Sequence, residues 1–147
     1  MIIINNKKDL QAIIEKKQTN KKIGFVRTMG CIHQGHISLI KMSKKDHCLT
    51  CVSIFVNPTQ FNDKRDFISY PINEKKDLET LDKNGCEIVF LPSVNEIYPN
   101  GINTISKVKK YRNILCDSFR PGHFDGVTTV VSNLLNIIKA DFAYFGE

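Results

Sequence analysis

The chain lacks a run of apolar residues near the roughly 18 to 20 needed to cross a bilayer as a helix, which excludes a helical membrane protein. Its start, Met1-Ile2-Ile3-Ile4-Asn5-Asn6, turns polar too soon for a signal peptide, so a cytoplasmic protein is expected. The five cysteines are an odd number without secretory context, which argues for reduced thiols and against a disulfide frame. Cys48-Leu49-Thr50-Cys51 is a formal C-x-x-C, but Cys51 falls in a run that reads as a strand, where residues three apart face opposite ways. No second pair of cysteines or histidines completes a zinc site, so no protein-held metal is expected. The net charge of +6 comes from scattered lysine pairs such as Lys7-Lys8 and Lys75-Lys76, without an aromatic-laced basic stripe or a reading helix. That pattern excludes nucleic acid as the partner and suits attraction of small anionic substrates. Repeats and low-complexity tracts are absent too. With 147 residues, 41% of them hydrophobic, the chain is sized for one domain spanning 1–147.

What is present alternates strand and helix. Ile2 to Ile4 read as a strand, and Asn6 caps a helix over Lys7 to Gln18. Ile23 to Val26 form the next strand, followed by a helix running to about Lys45. Leu49 to Val56 is a continuous apolar strand of the kind buried in parallel sheets, stopped by Asn57-Pro58. A loop is expected from there to Pro71. Asn73 caps a helix that ends at Asn84-Gly85, and a strand from Glu87 to Leu91 follows. Beyond Pro92 the pattern loosens, with a strand at Thr104 to Val108 and a short helix around Tyr111 to Leu115. Arg120 to Phe124 reads as a loop, Gly126 to Ile138 as a core-packed helix, and Phe142 to Phe145 as the last strand. This order predicts an α/β fold, a Rossmann-like, mostly parallel sheet with helices on both faces and ligands at the carboxyl ends of the strands.

The most informative segment is Phe25-Val26-Arg27-Thr28-Met29-Gly30-Cys31-Ile32-His33-Gln34-Gly35-His36, a strand that runs into a glycine-bearing loop and then a helix opened by two histidines. Gly35 admits a ligand close to the main chain, and the helix start offers unpaired N–H groups and a positive dipole to an anion. His33 and His36 share one side of that turn, where each can donate a ring N–H to a phosphate. The segment therefore reads as a site for a nucleoside triphosphate. Asn57 to Phe61, at the end of the next strand, would line the same crevice. Asn57 is either a strand terminator or a ligand-contacting side chain, and Tyr70 before Pro71 reads as packing. Arg120 and His123 lie in a segment able to close over substrates, where an arginine can fork onto a carboxylate or phosphate, or in a plain surface loop.

Four separated stretches, Thr28-Met29-Gly30-x-x-His33-x-Gly35-His36, Val52 to Phe61, Arg120-Pro121-Gly122-His123-Phe124-x-Gly126-Val127 and Tyr144-Phe145-Gly146-Glu147, together resemble the pantothenate synthetase (pantoate:β-alanine ligase) family. The similarity covers roughly 23–147, and the second and third stretches are more specific than the nucleotide motif, which a wider nucleotidyltransferase group shares. The resemblance implies ATP-dependent condensation of (R)-pantoate with β-alanine through a pantoyl-adenylate, releasing AMP and pyrophosphate, with Mg2+ accompanying the triphosphate. It implies that Met29, Gly30, Cys31, Ile32, His33, Gln34, Gly35 and His36 bind ATP largely through main-chain groups, that His36 with His33 supplies the proton and charge stabilisation, that Gln60 holds pantoate and receives β-alanine, and that Gly146 and Glu147 open a further ATP-contacting loop. It also implies a homodimer.

Two departures from the family pattern stand out. Arg27 replaces the proline that precedes Thr28-Met29-Gly30; the loss of a fixed φ loosens the strand exit, and an arginine there can reach a phosphate. The family pattern also continues past the Gly-Glu of 146 and 147 into a second half of the site and a small C-terminal lid domain, absent from these residues. The expectation is a nucleotide-binding half that is inactive by itself, with an exposed sheet edge. The competing readings are another His-x-Gly-His adenylyltransferase and a non-catalytic remnant that binds nucleotide or a partner chain.

Overall fold

A computed structural model of the chain describes residues 1–17, 21–46, 48–61, 63–101 and 123–146. Five strands, β1 (Ile2–Ile4), β2 (Ile23–Thr28), β3 (Leu49–Ile54), β4 (Ile88–Phe90) and β5 (Phe142–Tyr144), form one sheet in the order β1-β4-β3-β2-β5. Every pairing is parallel. The helices are α1 (Lys7–Lys17), α2 (Gln34–Lys45), α3 (Lys64–Ser69), α4 (Glu74–Lys83), α5 (Val94–Ile97) and α6 (His123–Ile138).

The strands are mostly apolar because both faces of the sheet are covered, with Arg27 and Thr28 at the carboxyl end of β2 and Thr50 and Ser53 in β3 as the polar exceptions. Alternate side chains go to opposite layers: Phe25, Cys51, Ile88 and Phe90 pack with Leu10 and Ile14 of α1, Ile97 of α5, and Val130, Leu134 and Ile138 of α6. Val26, Val52, Val89 and Tyr144 pack on the other side with Ile40 of α2 and Leu81 of α4. The expected Rossmann-like sheet with helices on both faces is therefore the fold observed.

Asn6 caps α1 as anticipated, accepting the Asp9 N–H at 2.8 Å, and Gly85, at φ 80°, ends α4. Elsewhere the local reading differs from the structure. The segment between Asn57 and Pro71, expected as loop, contains a 3-10 turn at Pro58–Gln60 and α3, whose N-cap Asp63 accepts the Arg65 N–H at 2.8 Å. A short helix with one buried residue, Ile97, carries too little periodicity to be recognised, and α5 was missed for that reason. Helix α6 begins at His123, three residues before the expected start, so His123 belongs to its first turn and not to a loop. The expected strand at 104–108 and helix at 111–115 lie outside the described residues, as do Arg120, the Pro121-Gly122 pair and Glu147.

The topology positions the site. Strand β2 has β3 on one side and β5 on the other, so three loops, after Thr28, Ile54 and Tyr144, emerge together at the carboxyl ends of adjacent strands, where such sheets bind ligands.

Candidate active site

The loop after β2 is held from below. The Thr28 hydroxyl donates to the Ser53 carbonyl at 2.8 Å and accepts the Gly30 N–H at 3.2 Å. Gly30 and Cys31 both adopt left-handed conformations, at φ 84° and 51°, which cost a non-glycine residue such as Cys31 on the order of 1–2 kcal/mol. The compensation comes from α4: the carboxylate of Asp77, 4% exposed, accepts the N–H groups of Cys31 at 3.0 Å and Ile32 at 2.9 Å. Asp77 escaped the sequence reading. Its signal was a carboxylate four residues before Leu81 on the inward stripe of an amphipathic helix, where a charge is expected only if the fold gives it donors.

His33 and His36 form a capping box made of imidazoles. His33 is the N-cap of α2 and its Nδ1 accepts the Gly35 N–H at 3.1 Å, while Nδ1 of His36 reaches back to accept the His33 N–H at 3.2 Å. This is the logic of a serine–glutamate box with rings in place of hydroxyl and carboxylate. The expected unpaired N–H groups at the helix start are thus in part already bonded, because the histidines that mark the site also cap the helix. The arrangement selects a tautomer: a neutral imidazole whose Nδ1 accepts must carry its proton on Nε2. The rings lie 4.0 Å apart between centroids. Desolvation lowers the pKa of His36 below its ordinary value, and the neighbouring His33 lowers it further, against a smaller upward pull from Asp77. His36 is therefore a neutral donor near pH 7.

Gly35 has an internal reason as well. A Cβ there would stand 2.8 Å from Cε1 and 3.0 Å from Nδ1 of His33, so the absence of a side chain is what lets the His33 ring fold over the helix start.

The loop after β3 is built around Asn57, which is fully buried. Its Oδ1 accepts from the Tyr98 hydroxyl at 2.7 Å and the Thr59 hydroxyl at 3.0 Å, and its Nδ2 donates to the Gly126 carbonyl and to Oε1 of Gln60, both at 3.1 Å. Asn57 thus acts on Gln60 from inside the fold and has no exposed surface for a ligand. Oε1 of Gln60 accepts a second donor, Nη2 of Arg27, and its Nε2 lies 3.4 Å from Sδ of Met29. The turn is pressed against α6: a Cβ on Gly126 would fall 2.6 Å from the Thr59 carbonyl oxygen.

Two cavities open at this end of the sheet. One, about 280 Å³, is walled by Arg27, Thr28, Met29, Gly30, Cys31, His33, His36 and Tyr70. The other, about 340 Å³, is walled by Arg27, His33, Gly35, His36, Leu39, Tyr144, Phe145 and Gly146. Arg27, His33 and His36 belong to both. The expected residues Met29, Gly30, Cys31, His33, Gly35, His36 and Gly146 are thereby brought together, and Gln60 joins them through Arg27 and Met29. Ile32 packs against the core, and Gln34 offers its carbonyl to the Ser38 hydroxyl at 2.9 Å, so neither walls a cavity. Tyr70, expected to pack, does so edge-on against Phe61 at 5.7 Å between centroids, and it also walls the first cavity. Among the described residues no group of three or more histidine, cysteine, aspartate or glutamate side chains converges to hold a metal ion, and no helix is long and apolar enough to cross a membrane.

Comparison with known proteins places this geometry. A family model described as pantoate-beta-alanine ligase matches residues 2–147. A pantothenate synthetase from Thermoanaerobacter sp. (strain X514) is 49% identical over 148 residues, covering 100% of this chain and 52% of the relative. The crystal structure of pantoate-beta-alanine ligase from Francisella tularensis complexed with beta-gamma ATP and beta-alanine superposes with a TM-score of 0.92 at 44% identity, covering 98% of this chain and 56% of that one. Pantothenate synthetase from Thermus thermophilus gives a TM-score of 0.90 at 34% identity, with 100% and 52% covered. The chain spans about half the length of the relatives it matches.

Proposed function

The chain belongs to the pantoate-beta-alanine ligase family, and from that premise we propose that it carries the nucleotide-binding half of the site at which ATP activates (R)-pantoate for condensation with β-alanine. In the first step a carboxylate oxygen of pantoate attacks the α-phosphorus, the bond to the bridging oxygen breaks, and pyrophosphate leaves with the electron pair. In the second the amine of β-alanine attacks the acyl carbon of the adenylate, releasing AMP. Ligation in these two steps needs an acid and a triphosphate side by side, and two cavities that share Arg27, His33 and His36 as walls suit that arrangement.

The observation that carries the reading is the imidazole pair shared by both cavities, each ring with Nδ1 committed to a main-chain N–H. Two Nε2–H donors held in advance cost no reorganisation when charge grows on the departing pyrophosphate, and as neutral rings they act by donating hydrogen bonds to that charge. Gln60, whose Oε1 already accepts from Asn57 and Arg27, would present its Nε2 donor side to pantoate. Gly146 at the rim of the second cavity would meet the nucleotide, with Glu147 next in the chain. Magnesium enters as the counter-ion of the triphosphate, ligated by phosphate oxygens and water. A homodimer and a cytoplasmic location complete the reading on the strength of the family alone.

The test is calorimetric titration of the chain with magnesium ATP, with pantoate, and with pantoate after ATP, alongside an assay of pantoate-dependent pyrophosphate release. Capture of both ligands, weakened at least tenfold by His36→Ala, is the expected result. Binding of a mononucleotide substrate without any binding of pantoate would refute it.

A further inference from the structure

One strong cation stands where the two cavities meet. Arg27 walls both, and it donates from Nη2 to Oε1 of Gln60, yet its buried Nε has no hydrogen-bond partner. Neither of the two ion pairs among the described residues involves it. Its register neighbour on β3 is Ser53, whose buried hydroxyl also lacks a partner. Buried polar groups are nearly always bonded, so the unused capacity of Arg27, which walls both cavities at the carboxyl end of the sheet, marks a place for a polar ligand. Burial disfavours the charged guanidinium, and only Tyr98 and Tyr70 offset this electrostatically. A buried cation without a carboxylate is costly unless an anion arrives with the substrate.

We propose that Arg27 is a catalytic residue of the adenylation step, whose guanidinium binds the carboxylate of the acid substrate at the junction of the two cavities and so lets it approach the α-phosphate. The inference rests on the ligase reading and adds to it a residue that the family pattern replaces with proline. Attack by a carboxylate on a polyanionic phosphate is opposed by like-charge repulsion. A guanidinium at the junction removes that opposition, and its fork geometry orients the attacking oxygen. Gln60, bonded to the same guanidinium, then positions the remainder of the acid.

The experiment compares pantoate with its uncharged carboxamide as calorimetric ligands for the wild-type chain, Arg27→Met and Arg27→Lys, each checked by thermal unfolding. Loss of charge-assisted hydrogen bonds predicts that Arg27→Met weakens pantoate by at least tenfold and the carboxamide by less than threefold, with magnesium ATP bound as in the wild type. Arg27→Lys, which keeps the charge and loses the fork, recovers part of the pantoate affinity and guards against a folding defect in the methionine variant. Equal weakening of acid and carboxamide overturns the proposal, since it would show that Arg27 acts only by supporting Gln60. Weakening of ATP alone overturns it too, in favour of a phosphate contact. A wild-type chain that captures neither acid nor carboxamide sinks the underlying ligase reading, a result distinct from either of these.

Discussion

Replacing Asp77 with asparagine tests whether the loop after β2 is held from α4. The carboxylate accepts two main-chain N–H groups, at 2.9 and 3.0 Å, while only 4% exposed. Asparagine has one oxygen, so it satisfies one amide and presents an NH2 group to the other. A charge-assisted hydrogen bond contributes about 1.5–3 kcal/mol, and an orphaned buried amide costs a further ~1 kcal/mol or more. The expected destabilisation is roughly 2–4 kcal/mol, which for a chain of this size lowers Tm by on the order of 10 °C. The left-handed conformations of Gly30 and Cys31 lose their restraint at the same time, so nucleotide affinity falls at least tenfold. Urea unfolding followed by circular dichroism, with an unchanged m-value, measures the first quantity. Asp82→Asn, an exposed position on the same helix, is the control and stays within about 0.5 kcal/mol of wild type. If Asp77→Asn unfolds like that control, the account of the loop is wrong.

Three further outcomes are expected. Because the folded state holds the pKa of His36 below 6.5, the unfolded chain binds more protons as pH falls beneath that value, so stability declines from there down to the folded pKa. Urea midpoints at pH 7 and pH 5.5 should fall less in His36→Gln, where the amide keeps the cap acceptor and cannot titrate. Gly35→Ala sets a Cβ 2.8 Å from the His33 ring; the loss of a cap, about 1 kcal/mol, is offset by alanine's helix preference of similar size. Stability should therefore change little while calorimetry shows nucleotide affinity dropping tenfold or more, and intact binding would contradict the role given to the ring. Gly126→Ala drives a Cβ to 2.6 Å from the Thr59 carbonyl oxygen, and since backbone must move, a loss of about 1–3 kcal/mol is expected in thermal unfolding, together with weaker pantoate binding through the displaced Gln60.

The elements with strong periodicity were legible without coordinates. The apolar strand from Leu49 showed in its composition, and the Asn6 and Asn73 caps and the Asn84-Gly85 stop rest on interactions within a few residues, which is what a linear chain displays. The His-x-Gly-His segment was legible for the same reason, since its capping box spans only four residues. Arg27, too, could be seen as an oddity, through the family pattern that has proline in its place.

What the chain order could not reveal is which residues distant along it share a hydrogen bond. Asp77 lies 45 residues from Ile32, and Asn57 lies 69 from Gly126. Both pairings exist only because the fold brings α4 to the loop after β2 and α6 to the turn after β3, and the burial that makes them strong is a property of the closed fold. The sequence alone settled a parallel α/β domain and marked the glycine- and histidine-bearing loop after its second strand as the candidate mouth. Tertiary structure decided that a carboxylate braces that mouth, that Asn57 points inward to Gln60 and that Arg27 faces two cavities at once, because hydrogen-bond geometry and desolvation arise only when separate segments are brought within a few ångströms.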